Sequence, residues 1–219
     1  MSNTHWWLYE VWGDDFSNDM RNSKYNVVRD AYYDLPTSKY YGKSIIAPET
    51  KSKLLEEQSW RWYPWPTKIT TPGEHPEALY ADPALKTLKS TAGATYLDQY
   101  MLRLAETYLL RAEAFLMKGD KEKAANDINE VRSRAHTSEV VASEVTIDYI
   151  LDERARELVY EEFRRITLGR LGKYVERVRK YNTLNGPRVE DYHELFPIPY
   201  SAIEANKDAV LEQNPGYKN

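Results

Sequence analysis

Hydrophobic and polar positions follow a helical period most clearly between Tyr100 and Ala135. Apolar residues recur there at Met101, Leu104, Ala105, Tyr108, Leu109, Ala112, Phe115 and Leu116. Spacing at i, i+3, i+4 and i+7 places them on one face of an amphipathic helix. A second, narrower stripe follows at Ala124, Ile128, Val131 and Ala135, beside Glu122, Lys123, Asp127, Glu130 and Arg132. Between the two stripes, Met117-Lys118-Gly119-Asp120 reads as a turn. Small alanines on facing sides let antiparallel helices approach closely, so the stretch predicts a helical hairpin.

A third helix is predicted from Ile147 to Ile166, with Thr146 as its N-cap and Asp148 near the positive end of its dipole. Ile147, Ile150, Leu151, Ala155, Leu158, Val159, Phe163 and Ile166 would form its buried side. Its other side carries Glu153, Arg154, Arg156, Glu157, Glu161, Glu162, Arg164 and Arg165, the composition of a salt-bridged surface or of an interface with neighbouring helices. Tyr174 to Lys180 predicts a short basic helix with a solvated face. Ser201-Ala202-Ile203-Glu204 has the spacing of a capping box.

Residues 1–98 have little helical period and much turn chemistry. The run His5 to Trp12 is aromatic and predicts a short strand or extended segment. Trp60-Arg61-Trp62-Tyr63-Pro64-Trp65-Pro66 is the densest aromatic cluster, and its prolines favour extended geometry. The chain therefore divides into a loop-rich aromatic region, 1–98, and a helical region, 99–219, expected to form one continuous domain. The hairpin has the length of about 34 residues and the small, aromatic and turn positions of one tetratricopeptide-like unit. Ala112, Phe115, Gly119, Asp120, Ala124 and Ile128 occupy those positions. One such unit cannot bury its own face, so a mainly α fold of stacked hairpins, an α–α superhelix, is expected.

Composition narrows the functional classes. A hydrophobic fraction of 42% in 219 residues permits a real core and argues against global disorder. The formal net charge of −4, with basic and acidic residues interleaved, gives no electrostatic footprint for nucleic acid. With no cysteine, thiol nucleophiles, disulfides and cysteine metal sites are excluded. No apolar run approaches the roughly 20 residues of a membrane span, and the N-terminus carries no signal peptide, so a soluble chain is expected. The unusual feature is 6 Trp and 18 Tyr against 4 Phe, with every Trp before residue 66.

Three separated segments resemble the SusD/RagB family of outer-membrane nutrient-binding lipoproteins. They are Tyr100–Ala135, Ile150–Gly172 (ILDERARELVYEEFRRITLGRLG) and His193–Tyr217, in which FPIPYSAI followed by QNPGY is the most specific element. Asp19-Met20-Arg21 is similar to the middle of such proteins. The resemblance covers nearly the whole chain and implies the C-terminal half of a family member. It implies non-catalytic capture of glycans, or sometimes peptides, at the outward face of the outer membrane, for delivery to a TonB-dependent SusC-like transporter. No cofactor is implied. The chain lacks a lipobox cysteine, so the family's lipid anchor is not expected within it.

Aromatic rings bind sugars because the C–H face of a pyranose lies flat on them while rim groups bond the hydroxyls. The candidate ligand-binding residues are Trp60, Trp62, Tyr63 and Trp65, then Trp6, Trp7 and Trp12. Trp is highly buried on average, so each of these rings also has a packing reading. Glu153, Glu157, Glu161 and Glu162 stand at a spacing that fits a glycosidase pair, which needs carboxyls about 5–10 Å apart. The interleaved arginines point instead to ion pairing, and no catalytic residue is expected. His5, His75, His136 and His193 lie far apart without a ligand spacing, so no metal site is expected either. A protein-binding repeat scaffold is the alternative, as is a fragment without independent ligand binding.

Overall fold

The computed structural model describes residues 3–50, 64–69, 75–93, 98 and 100–218. The chain divides into two compact units, the first comprising Met1–Asn3 with Trp7–Glu161 and the second Thr4–Trp6 with Glu162–Asn219.

The first unit is built on the predicted hairpin, α1 (Leu104–Met117) and α2 (Lys121–Arg134). Gly119 turns the chain at φ 81°, a conformation that costs glycine little. Asp120 then caps α2 by accepting a hydrogen bond from the Lys123 N–H at 3.1 Å. The facing sides bury Leu109, Ala112, Ala124, Ala125, Ile128 and Val131. Arg111 and the buried Asp127 tie the two helices at 2.8 and 2.6 Å. Helix α3 (Ile147–Glu157) packs Ile150 into this core. Its N-cap is Thr146, which accepts from the Tyr149 N–H at 3.1 Å, as the sequence predicts. The fold is mainly helical, as expected.

Several local expectations are overturned. Met101 is 94% exposed and precedes α1, and Leu104 is exposed as well. The third helix stops at Glu157 rather than running to Ile166, because Tyr160 adopts a left-handed conformation at φ 63°. Phe163, expected on the buried side, is 79% exposed, and Ile166 is exposed too. The stretch expected to be extended forms a wide helical turn, Trp6–Glu10, followed by a 3₁₀ turn at Gly13–Asp15. A helical path brings Trp7, Leu8, Val11 and Trp12, spaced i, i+1, i+4 and i+5, to one buried side.

Among the described residues, the rest of the N-terminal stretch contains short strand pairings and single 3₁₀ turns at Met20–Asn22, Thr67–Ile69 and Glu77–Leu79. β1 (Val27–Val28) runs antiparallel to β2 (Trp65–Pro66), with Val28 opposite Trp65 and Val27 opposite Pro66. Two further bonds from Thr67, to the Asn26 and Tyr25 carbonyls at 3.0 and 2.9 Å, hold the segment after β2 in place. β3 (Tyr80–Asp82) and β4 (Thr87–Leu88) form a separate hairpin.

The second unit contains α4 (Arg164–Arg170), α5 (Tyr174–Tyr181) and α6 (Tyr200–Ala205). Arg177 is buried on α5, over the Trp6 and Tyr181 rings at 5.5 and 4.8 Å, and not on a solvated face. Arg165 lies 3.6 Å from the Tyr174 ring centre and 4.4 Å from that of Phe196, and donates to the His193 and Glu194 carbonyls. Gln213 pairs with both backbone groups of Ile198, at 2.7 and 2.9 Å, as a strand would. Asn214 donates to the Phe196 carbonyl and the Tyr217 hydroxyl to that of Leu195. The FPIP and QNPGY segments thus clamp each other through side chains, because proline removes backbone donors from the ladder. Ser201 and Glu204 form no capping box, since both lie inside α6 and Pro199 precedes the helix. His193 has a structural bond: its Nδ1 accepts from the Glu190 N–H at 2.8 Å.

Candidate functional site

The most highly charged interior of the first unit lies where the loop region meets α3. Asp19 is buried and caps the turn Met20–Asn22 by accepting from the Arg21 N–H at 2.9 Å. The same carboxylate grips the Arg21 guanidinium at 2.9 and 2.7 Å. Held this way, Arg21 extends its other nitrogen to Glu153 at 2.8 Å and Glu157 at 3.0 Å. Glu153 and Glu157 stand at i and i+4 on α3, so one guanidinium reaches both.

Further cations converge on the same two carboxylates. Arg132, from α2, bonds Glu153 at 2.9 Å and Asp15 at 2.6 Å. Arg156 bonds Glu153 at 3.0 and 2.7 Å and also donates to the Val11 carbonyl. Arg103, just before α1, reaches Glu157 at 2.9 Å and Glu161 at 2.8 Å. Lys68 donates to the Glu157 carbonyl at 2.5 Å and lies 3.1 Å from the Glu161 carboxylate. Arg134 adds a third guanidinium to Glu157.

This network encloses a cavity of about 150 Å³. Arg21, Asn26, Lys68, Arg103, Arg134, Arg156 and Glu157 line it, and Trp7, Pro66 and Val159 supply its apolar walls. Burial alone would raise the Glu153 pKa, but the charges of Arg156, Arg21 and Arg132 outweigh it and hold the carboxyl at about 2. Glu157 is lowered for the same reason: burial opposes ionisation, and Arg21, Arg134 and Arg103 overcome it. For Lys68, burial wins and lowers the pKa despite Glu161. A glycosidase needs one carboxyl that retains its proton to serve as general acid. Glu153 and Glu157 are held in the opposite state. Among the described residues, no group of His, Cys, Asp or Glu could hold a metal ion.

The candidate aromatics are dispersed. Trp7 is buried and donates its indole N–H to the Ala155 carbonyl at 2.7 Å. Trp12, 2% exposed, donates to the Trp7 carbonyl and meets the Trp7 ring edge-on at 5.3 Å. Both have their polar atom bonded inside the protein and their rings buried, and Trp7 also forms part of the cavity wall. Trp65 is half-buried on β2, next to the cavity wall at Pro66. Trp6 is half-buried in the second unit, stacked on Tyr181 at 4.2 Å. Trp60, Trp62 and Tyr63 lie outside the described residues.

The convergence of Arg21, Lys68, Arg103, Arg132 and Arg134 on α3 was not read from the sequence. Its legible signals were the Asp19-Met20-Arg21 triplet and two glutamates four apart among arginines.

Comparison with known proteins bears on the same segments. Starch-binding protein SusD of Bacteroides thetaiotaomicron is 40% identical over 138 residues, 59% of this chain and 24% of that protein. A solved structure titled BT4246 is 26% identical over 60% of this chain and 26% of its own length, at a TM-score of 0.45, too low to bear on the fold. The chain thus spans about a quarter of the length of these two relatives. A model of the SusD family matches residues 9–217, which include the loop region, the charged network on α3 and the clamped FPIP and QNPGY segments. The chain belongs to the SusD family.

Proposed function

We propose that this chain is part of a non-catalytic glycan-binding protein at the cell surface, capturing oligosaccharides for a TonB-dependent SusC-like outer-membrane transporter. The observation that carries this reading is family membership over residues 9–217, together with a 40% identical relative named for starch binding. The ionised state of Glu153 and Glu157 supports binding over turnover. Among the described residues, no helix is long and apolar enough to cross a membrane. A lipid anchor on the outward face of the outer membrane is the family's means of attachment.

Within the first unit, Trp65 is the candidate whose ring is neither buried nor outside the described residues. Its strand is fixed by pairing with Val28 and by the Thr67 bonds, so the ring sits on a firm mount. Trp60, Trp62 and Tyr63, outside the described residues, precede it in the sequence and are proposed as further ligand contacts. Calorimetric titration with α-glucan and other oligosaccharides tests the reading. Trp65→Ala is expected to weaken binding about ten-fold while the fold persists. A folded protein that binds no saccharide, or binds equally well without Trp65, would refute it.

An alternative reading, a protein-binding repeat scaffold, draws on the exposed apolar run Tyr100, Met101, Leu102 and Leu104. Capture of a purified SusC-like transporter that Met101→Glu leaves unchanged would count against it.

A further inference from the structure

We propose that the charged cavity of the first unit is an oxyanion subsite that takes the carboxylate or sulfate substituent of an acidic saccharide. This rests on the glycan-binding reading and adds to it a class of ligand. The polar lining of the cavity is five cations, Arg21, Lys68, Arg103, Arg134 and Arg156, one carboxylate, Glu157, and the Asn26 amide.

Hydrogen-bond accounting indicates what the space can accept. Both oxygens of Asp19 are taken by Arg21, and those of Glu153 by Arg21, Arg132 and Arg156. Glu157 is shared by Arg21, Arg103 and Arg134. Glu161 accepts from Arg103 and lies against Lys68. Every carboxylate oxygen in the network is therefore engaged. Donor capacity remains: a guanidinium carries five N–H groups, and Arg134 is joined to Glu157 through one nitrogen. An ammonium carries three, of which Lys68 directs two to Glu157 and Glu161. A neutral sugar hydroxyl both donates and accepts, whereas an oxyanion only accepts and suits a wall on which cationic donors predominate.

Charge gives the same answer. Arg21 and Arg103 are each shared with a second carboxylate, Asp19 and Glu161 respectively. Among the described residues, Arg134 has only Glu157, already engaged by those two, and Arg156 only Glu153, already engaged by Arg21 and Arg132, so positive charge on the wall exceeds the carboxylates that face it. The volume of about 150 Å³ holds several waters, enough for a carboxylate or sulfate with part of its hydration but not for an oligosaccharide. The anionic substituent would enter, and the sugar backbone would stay outside, towards Trp65.

Inorganic sulfate and glucuronate are the first probes, followed by thermal unfolding and calorimetry on the whole chain at constant ionic strength. Both are expected to stabilise the protein saturably where chloride does not. Arg134→Gln is expected to weaken sulfate binding about ten-fold or more, and Arg134→Lys by less. This variant leaves Arg21 and Arg103 on Glu157, and its unfolding midpoint without ligand verifies folding. Arg111→Gln, on the α1–α2 pair, should leave sulfate binding unchanged. Sulfate protection that chloride matches, or that survives Arg134→Gln, would overturn the subsite. The glycan arm compares neutral, uronate-bearing and sulfated oligosaccharides of one length. Equal affinity for all three overturns the subsite, and preference for one acidic form identifies the oxyanion. If none binds, the glycan reading fails, and the sulfate arm alone decides the subsite.

Discussion

Glu153→Gln is the sharpest test of the charged interior. Glu153 is 0% exposed and bonds Arg21, Arg132 and Arg156 at 2.7–3.0 Å. Glutamine keeps the size and one acceptor but removes the charge that three guanidiniums share. Breaking a buried ion pair by deleting one partner costs about 3–5 kcal/mol. Titration gives an independent figure: the fall from the ordinary value of 4.5 to about 2 corresponds to about 3 kcal/mol. Because the folded pKa lies below the unfolded one, this stability is fully present above pH 4.5 and is lost as pH falls towards 2. Urea unfolding of both proteins, followed by Trp fluorescence and far-UV circular dichroism, reads the difference. At pH 7 the variant should be less stable by about 3 kcal/mol, and at pH 3 the gap should shrink to a fraction of that. A loss below about 0.5 kcal/mol at pH 7, typical of a neutral surface change, would refute the reasoning. So would a gap that does not narrow in acid.

Two further outcomes follow from the packing. Leu109→Ala empties a fully buried position between α1, α2 and α3, and should cost about 2–5 kcal/mol, measured by the urea midpoint at unchanged slope. Gly216→Ala forces a side chain onto a residue at φ 89°, with the new carbon 2.3 Å from Tyr192. About 1–3 kcal/mol of strain is expected there, together with faster hydrogen exchange across 213–217 and an unchanged α1–α2 core.

The hairpin was legible because its signals are local: an apolar face at helical spacing, Gly119 at the turn and Asp120 at the cap. The interior of α3 was not. Glu153 and Arg21 are 132 residues apart, and no window of sequence displays a partner at that distance. Read locally, Glu153, Arg154, Arg156 and Glu157 have the composition of a wet surface, yet all four are buried. Only when Arg21, Arg103 and Arg132 arrive from three other segments does burial become tolerable, since a charge leaves water at low cost only when paired and hydrogen-bonded. The end of α3 was hidden for a related reason, because a tyrosine at positive φ carries no sequence mark.

The aromatics divide on the same principle. Trp7 and Trp12 share a helical spacing with Leu8 and Val11, so their burial was readable in the pattern once a helical turn was considered. Trp65 stands among prolines, where no period exists, and only its pairing with Val28 places it. The charged network then couples the two kinds of sequence. Lys68, three residues after Trp65, reaches the C-terminal end of α3 through Glu157 and Glu161. The segment after Trp65 is thereby tied to the helical platform by charge. The placement of Trp65 should consequently depend on the same carboxylates that hold the interior together.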